Sequence, residues 1–109
     1  MQIRYKDKRI EAICLEQKKA ERQLGKPCAR KLRSRLSDLM AAANTRELVA
    51  GNPHPLRGDR EPQFSLSLHG GMRLCFVPDH DPIPRLADGG IDWSSVSCAL
   101  IVYIGDYHD

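Results

Sequence analysis

The chain ends in YIGDYHD, where an apolar run gives way to three side chains that can carry out proton chemistry. Residues 98–104 are mostly apolar or β-branched, and Asp106, Tyr107 and His108 follow almost directly. A carboxylate, a phenol and an imidazole can each exchange a proton, and histidine does so near neutral pH. Their position predicts a site at the end of a C-terminal strand.

A second group of chemically active residues lies in the loop GNPHPLRGDREPQ. This loop contains His54, Arg57, Asp59 and Arg60, and Arg73 follows in the next predicted strands. Prolines on both sides of His54 restrict its backbone and so favour one direction for its imidazole. Asp59 and Arg60 are interpreted as a local ion pair that stabilises the loop. If the last strand pairs with its neighbour, these groups can meet at one end of a sheet.

The elements that position these residues follow from the spacing of the apolar residues. Residues 2–5 alternate between apolar and polar types, which predicts a short strand. Apolar residues recur at helical spacing over residues 8–24, and Gly25 ends that helix. A second helix is predicted over residues 27–43, with Met40 and Ala43 at the end of its apolar stripe.

The rest of the chain is predicted to be β-structure. Residues 63–68 and 72–77 alternate on either side of a glycine-rich turn and therefore predict a hairpin. A long connection over residues 78–95 leads to a last strand over residues 98–105, and Trp93 is expected to anchor this connection on the sheet edge rather than to contact a base. The order β-α-α-β-β-β predicts an α+β fold, with two N-terminal helices packed on a small, mostly antiparallel sheet.

Length and composition restrict the class of protein. A chain of 109 residues predicts one domain, residues 1–109. The sequence has no run of 18 apolar residues and its start has no apolar leader segment, so we expect a cytoplasmic protein without a membrane partner. The four cysteines are far apart and form no CxxC pair, which argues against a zinc site and against a disulfide framework.

Charge is distributed unevenly along the chain. The formal net charge is +3, but the first 60 residues contain 15 Lys and Arg against 7 Asp and Glu, and the remainder contains 2 against 7. Basic blocks over residues 18–22 and 29–35 suit a phosphate backbone, with Arg30 and Arg33 as the candidate phosphate contacts. The alternative interpretation of the same spacing is an ordinary solvated helix face.

Three segments in the same order resemble a known family. HPLRGDREPQFSLSL, then MRLCF, then DYH resemble the HigB-like branch of the RelE/ParE toxin superfamily. The resemblance covers the second half in detail, and the helical first half agrees in order and length. The chain departs from the branch at Met72, where many members have Trp, and over residues 78–95, which are longer than in short members. The long connection is similar to a variant group labelled killer suppression protein.

The resemblance implies a RelE-like fold and the toxin of a type II toxin-antitoxin pair, which binds the ribosome, cleaves messenger RNA and is restrained by a HigA-like helix-turn-helix antitoxin. It implies cleavage by attack of a ribose 2′-OH on the adjacent phosphate, without a metal or another cofactor. The implied catalytic residues are His54, Arg73, Asp106, Tyr107 and His108. The implied RNA-binding residues are Arg57 and Arg60, to which the basic helix adds Arg30 and Arg33.

Two other functions are compatible with the same fold. One is a non-catalytic protein that binds an antitoxin or another regulator. The other is a ParE-like inhibitor of DNA gyrase, although His54 and the DYH segment count against it because gyrase inhibition needs no proton carriers. The long connection also carries several acidic residues, which are expected to repel phosphate or to bind a cationic partner: Asp79, Asp81, Asp88 and Asp92.

Overall fold

A computed structural model describes residues 1–106 of the chain. In this part of the chain, one strand and three helices precede four further strands. The elements are β1 (Gln2–Tyr5), α1 (Lys8–Leu15), α2 (Gln17–Leu24), α3 (Lys26–Ala41), β2 (His54–Pro55), β3 (Phe64–Ser67), β4 (Arg73–Pro78) and β5 (Cys98–Gly105). Short 3₁₀ turns occupy Thr45–Glu47, Gly58–Arg60 and Trp93–Ser95.

The five strands form one sheet in the order β1-β5-β4-β3-β2. β1 is parallel to β5, whereas the β5–β4, β4–β3 and β3–β2 pairs are antiparallel. The predicted α+β class and the mostly antiparallel sheet are therefore confirmed. β2 was not predicted, because a strand of two residues has no alternation from which to recognise it.

The prediction of a single first helix is wrong, because the chain leaves helical geometry at Glu16 (φ −117°, ψ 107°). The N–H of Glu16 still donates to the Ala12 carbonyl and its carbonyl accepts from Ala20, so the break leaves neither group unpaired. The apolar stripe has Gln17 where the helical repeat calls for an apolar residue. The break allows Ile13 and Ala20 to be buried together in the core.

The third helix begins with Pro27 in its first turn, as predicted, and ends slightly earlier than expected, at Ala41. Met40 was predicted to lie in the core, but it is 62% exposed. The α-ammonium of Met1 donates to the Leu39 and Met40 carbonyls at the end of this helix, which places a cation where the helix dipole favours one. Within residues 1–106, no helix combines the length and the apolar character needed to cross a membrane.

The core lies between the helices and one face of the sheet. Apolar side chains of this size contribute roughly 1.5–3 kcal/mol each when they are fully buried. The main core residues are Ile10, Ile13, Leu32, Leu36, Leu39, Leu66, Leu74, Phe76, Ile101 and Ile104. The opposite face of the sheet, here called the outer face, carries the alternate residues of each strand.

A β-bulge in the last strand changes which residues reach the outer face. Phe76 is paired with Ile101, whereas its neighbour Cys75 is paired with Tyr103, so Val102 has no partner in the ladder. The extra residue shifts the alternation by one position. Ile101 and Ile104 are consequently both buried in the core, and Tyr103 lies on the outer face.

The long connection between β4 and β5 packs along the helical side of the sheet edge. The Trp93 ring lies 4.9 Å from the Phe64 ring, which confirms its anchoring role. Nε2 of His80 accepts hydrogen bonds from the backbone N–H groups of Ser97 (3.1 Å) and Cys98 (3.2 Å), where β5 begins. The connection is therefore attached to the sheet at both of these points.

Candidate functional site

The outer face carries a row of four side chains, one from each of four neighbouring strands. His54 is paired with Ser65, Ser65 with Cys75, and Cys75 with Tyr103. Directly opposed residues point to the same face of a sheet and contact one another. Of these four residues, only His54 was singled out from the sequence.

The middle of the row is a buried, uncharged floor. Ser65 and Cys75 are both fully buried, although they lie on the face opposite the helices. Burial raises the pKa of the Cys75 thiol, and this outweighs the opposing effects of its hydrogen bond with Ser65 and of the nearby Arg60 and Arg73. Because a nucleophilic cysteine needs a lowered pKa and access to solvent, Cys75 acts here as packing.

A loop arginine lies above this floor. The guanidinium carbon of Arg60 is 5.4 Å from the centre of the Tyr103 ring, which is a cation–π contact. The loop after β2 therefore folds back over the outer face as far as β5. The prediction of an ion pair between Asp59 and Arg60 is wrong, because no ion pair joins these two side chains in the described part of the chain.

The Tyr103 ring lies along its own strand, over Gly105. A Cβ atom on Gly105 would lie 2.8 Å from the Tyr103 Oη and 2.9 Å from its Cζ. Gly105 is paired with Arg73, so the ring extends from the row of four residues toward the level of that arginine. Arg60 thus lies over the Tyr103 ring, and Arg73 is paired with the glycine that this ring covers.

The backbone sets the orientation of His54. Its Nδ1 lies 2.8 Å from the carbonyl oxygen of Asn52. A carbonyl can only accept, so Nδ1 carries the proton and Nε2 of the neutral ring holds the lone pair. Asn52 adopts a left-handed conformation (φ 49°), and the preceding Gly51 carbonyl accepts from the Ser67 N–H (2.7 Å). The turn at residues 51–52 is therefore attached to β3. Its Asn52 carbonyl fixes the direction of the imidazole, which was the role expected of the flanking prolines.

The structure separates His54 from Asp106. A Cβ atom on Gly71 would lie 2.5 Å from Oδ2 of Asp106, so this carboxylate lies beside the turn between β3 and β4. Strand spacing and rise place Asp106 roughly 17 Å from His54, three strands across and three residues along. Arg73 lies between these two corners and donates from Nη1 to the Met72 carbonyl (3.1 Å). The Asn52 carbonyl, rather than Asp106, therefore orients His54.

The other predicted site residues lie elsewhere. Tyr107 and His108 lie outside the described residues. Arg57 is exposed and lines a cleft beside the edge strand β2. Arg30 and Arg33 are exposed on α3, in the helical layer on the other side of the sheet from Arg73. The structure thus groups His54, Arg60 and Arg73 on one face and places the helix arginines on another.

The acidic residues of the long connection are mostly engaged locally. Asp79 pairs with Arg4 (3.4 Å), and Asp88 accepts from a backbone N–H of its own loop (2.8 Å). Asp92 accepts hydrogen bonds from the hydroxyls of the two following serines, which lower the pKa of its carboxyl group. Among the described residues, no group of three or more His, Cys, Asp or Glu side chains is placed to bind a metal ion.

Comparison of the chain with models of protein families and with curated protein sequences gave no match. The resemblance to HigB-like toxins stays a prediction drawn from the residues.

Proposed function

We propose that this protein is the toxin of a type II toxin-antitoxin pair, a ribosome-dependent endoribonuclease that cleaves messenger RNA in the cytoplasm. A HigA-like helix-turn-helix antitoxin is its proposed partner. One observation supports this function above all: a histidine with an oriented Nε2 shares the outer face with two arginines, on the side of the sheet away from the helices.

His54 is the proposed general base. Nε2 accepts the proton of a ribose 2′-OH, and the resulting oxygen attacks the adjacent phosphorus. The bond from phosphorus to the 5′ oxygen then breaks, and protonation of that oxygen leaves a 2′,3′-cyclic phosphate and a free 5′-OH. Proton transfer by a positioned side chain typically contributes 10²- to 10⁴-fold to the rate.

Arg73 and Arg60 are proposed to stabilise the negative charge that develops on the phosphate. Guanidinium groups suit this role because their N–H donors have fixed geometry and keep their charge at all physiological pH values. The contact with the Tyr103 ring restricts Arg60, so less conformational freedom is lost when it binds phosphate.

Tyr103 and the C-terminal residues complete the proposed site. The Tyr103 ring is half-buried over Gly105, and its proposed role is to hold Arg60 in place. His108 is the proposed general acid for the leaving 5′ oxygen, and Tyr107 is a proposed stacking residue. Asp106, at the corner next to Gly71, is proposed to accept a hydrogen bond from a ribose hydroxyl.

The test is controlled expression in a bacterium, with messenger RNA 5′ ends mapped at matched protein levels. Wild type is compared with His54→Ala and His108→Ala. His69→Ala is the matched control, because His69 is an exposed histidine in the turn between β3 and β4. We expect wild type and the control to arrest growth and to generate new 5′-OH ends within coding regions. Both site variants should lose these ends.

Other outcomes identify the alternative functions. If all four proteins are harmless and their RNA maps coincide, the ribonuclease proposal is wrong and a non-catalytic binding protein is the better description. If growth stops while messenger RNA stays intact and DNA supercoiling fails, the protein inhibits gyrase instead.

A further inference from the structure

A cleft of about 480 Å³ lies between the loop after β2 and the long connection. Arg57 and Glu61 belong to its loop wall, and Arg85 and Trp93 to its connection wall. Its volume is within the range of small-molecule sites in proteins. The connection wall lies on the helical side of the sheet, because Trp93 packs against Phe64 there.

The charge of the cleft favours an anion. Two arginines, Arg57 and Arg85, line the cleft. Glu61 is the only acidic side chain of its lining in the described part of the chain. Neither arginine forms an ion pair with any carboxylate of residues 1–106. Arg85 is held in place by a hydrogen bond from Nη1 to the Gly89 carbonyl (2.9 Å), which leaves its other N–H groups for a ligand.

The same cleft offers a flat apolar surface. Trp93 lines this cleft and also a neighbouring one of about 330 Å³, and Pro55 lines both. A half-buried indole beside two guanidinium groups matches the two parts of a nucleotide, since a base stacks on an aromatic ring and a phosphate binds arginine.

An acidic peptide carries charge of the same sign, but the sheet edge beside the cleft is poorly suited to bind one. The Leu56 N–H donates inward to the Gln63 carbonyl, so residues 53 and 55 direct their backbone nitrogens to the open edge. Both are prolines and have no N–H. An added peptide strand would find no donors there, and the observations therefore favour a polynucleotide.

We propose, against the expectation from the sequence that Trp93 contacts no base, that this cleft binds one nucleotide of a single-stranded RNA, with the base against Trp93 and the phosphate between Arg57 and Arg85. The proposal rests on the proposed RNA-cleaving function. His54 and Pro55 are consecutive residues of β2, and one faces the outer side while the other lines the cleft. An RNA strand that crosses this edge occupies both sites. The cleft therefore fixes the position of the RNA strand relative to His54.

Trp93 provides a direct test because it is the only tryptophan of the chain. A fluorescently labelled, single-stranded 12-nucleotide RNA is titrated into protein carrying His54→Ala, which prevents cleavage. Binding is followed by anisotropy of the label and by emission of Trp93. Arg85→Gln is compared with Arg22→Gln. Arg22 is an exposed arginine of α2 and does not line the cleft.

We expect RNA to quench Trp93 emission in step with anisotropy. Loss of a charged hydrogen bond should weaken binding roughly tenfold in Arg85→Gln, while Arg22→Gln stays within about twofold. RNA binding without any change in Trp93 emission would overturn the cleft proposal and leave the proposed function intact. Quenching by a glutamate dodecamer but not by RNA would also overturn it, in favour of a protein partner. Absence of RNA binding would overturn the cleft proposal as well. The proposed function is tested separately, by growth arrest and by mapping of 5′ ends.

Discussion

Gly105 and Tyr103 show how a single missing side chain shapes the candidate site. The Tyr103 ring occupies the space above Gly105 and holds Arg60 on its surface. The conformation of Gly105 is not left-handed, so glycine is required here by the space that the ring fills rather than by backbone geometry. The position of Arg60 over the outer face therefore depends on the size of residue 105.

Gly105→Ala should destabilise the protein by about 1–3 kcal/mol, because the added Cβ overlaps the Tyr103 ring and forces it to move. The same change made together with Tyr103→Ala should cost much less than in the wild type, since the ring that it displaces is absent. Urea unfolding of the two single variants and the double variant measures this coupling. Equal costs of Gly105→Ala in both backgrounds would contradict the packing described.

At the scale of elements, β5 depends on contacts with the connection that precedes it. His80 supplies one acceptor to two consecutive backbone N–H groups, those of Ser97 and Cys98, at the point where β5 begins. Nε2 can accept only when it carries no proton, so Nδ1 is the protonated nitrogen of the neutral ring. The side chain thus closes the long connection onto the strand that leads into the candidate site.

His80→Leu should lower the free energy of unfolding by about 1–2 kcal/mol, because two backbone donors lose their acceptor. His80→Gln should lower it less, since a side-chain amide oxygen can replace part of the interaction. His69→Leu is the matched control and should change stability by less than about 0.5 kcal/mol, because His69 is exposed in a turn. Urea denaturation of all three variants decides the matter, and equal losses for His80→Leu and His69→Leu would show that the contact contributes nothing.

At the scale of the whole molecule, basic residues occupy two opposite sides of the sheet. Arg60 and Arg73 lie on the outer face, whereas Arg30 and Arg33 are exposed on α3 in the layer behind it. No single RNA segment lying flat on the outer face reaches both sets. If the helical arginines contact nucleic acid, their partner is a second surface, such as ribosomal RNA.

Arg30→Glu with Arg33→Glu should weaken co-sedimentation with ribosomes and reduce its dependence on salt. Two fewer phosphate contacts should lower the slope of log K against log salt concentration by about 1.4–1.8. Binding of the 12-nucleotide RNA should change little, because Arg30 and Arg33 line neither the outer face nor the cleft. An unchanged ribosome affinity and slope would instead support the alternative interpretation of this region as an ordinary solvated helix face.

Local patterns predicted most of the fold. Alternating residues identified β1 with the observed bounds and the hairpin of β3 and β4 to within a residue at each end, and a run of apolar and β-branched residues identified β5 with the observed bounds. These predictions succeed because alternation and helical spacing reflect which face of an element is buried, and burial is recorded in residue type. Residue type likewise drew attention to His54 and Arg73, because imidazole and guanidinium groups stand out in loops and strands.

The remainder depends on partners distant along the chain. The pairing of β2 with β3, the bulge at Val102 and the position of Arg60 over Tyr103 each join segments that are separated in sequence. Ser65 and Cys75 have ordinary residue types, and only strand register places them under the site. Register is decided by packing across the whole sheet, and a shift of one residue reverses the face that every following side chain occupies. The sequence by itself therefore determined the class of fold and the chemical groups available, whereas the tertiary structure decided which of these groups share a face.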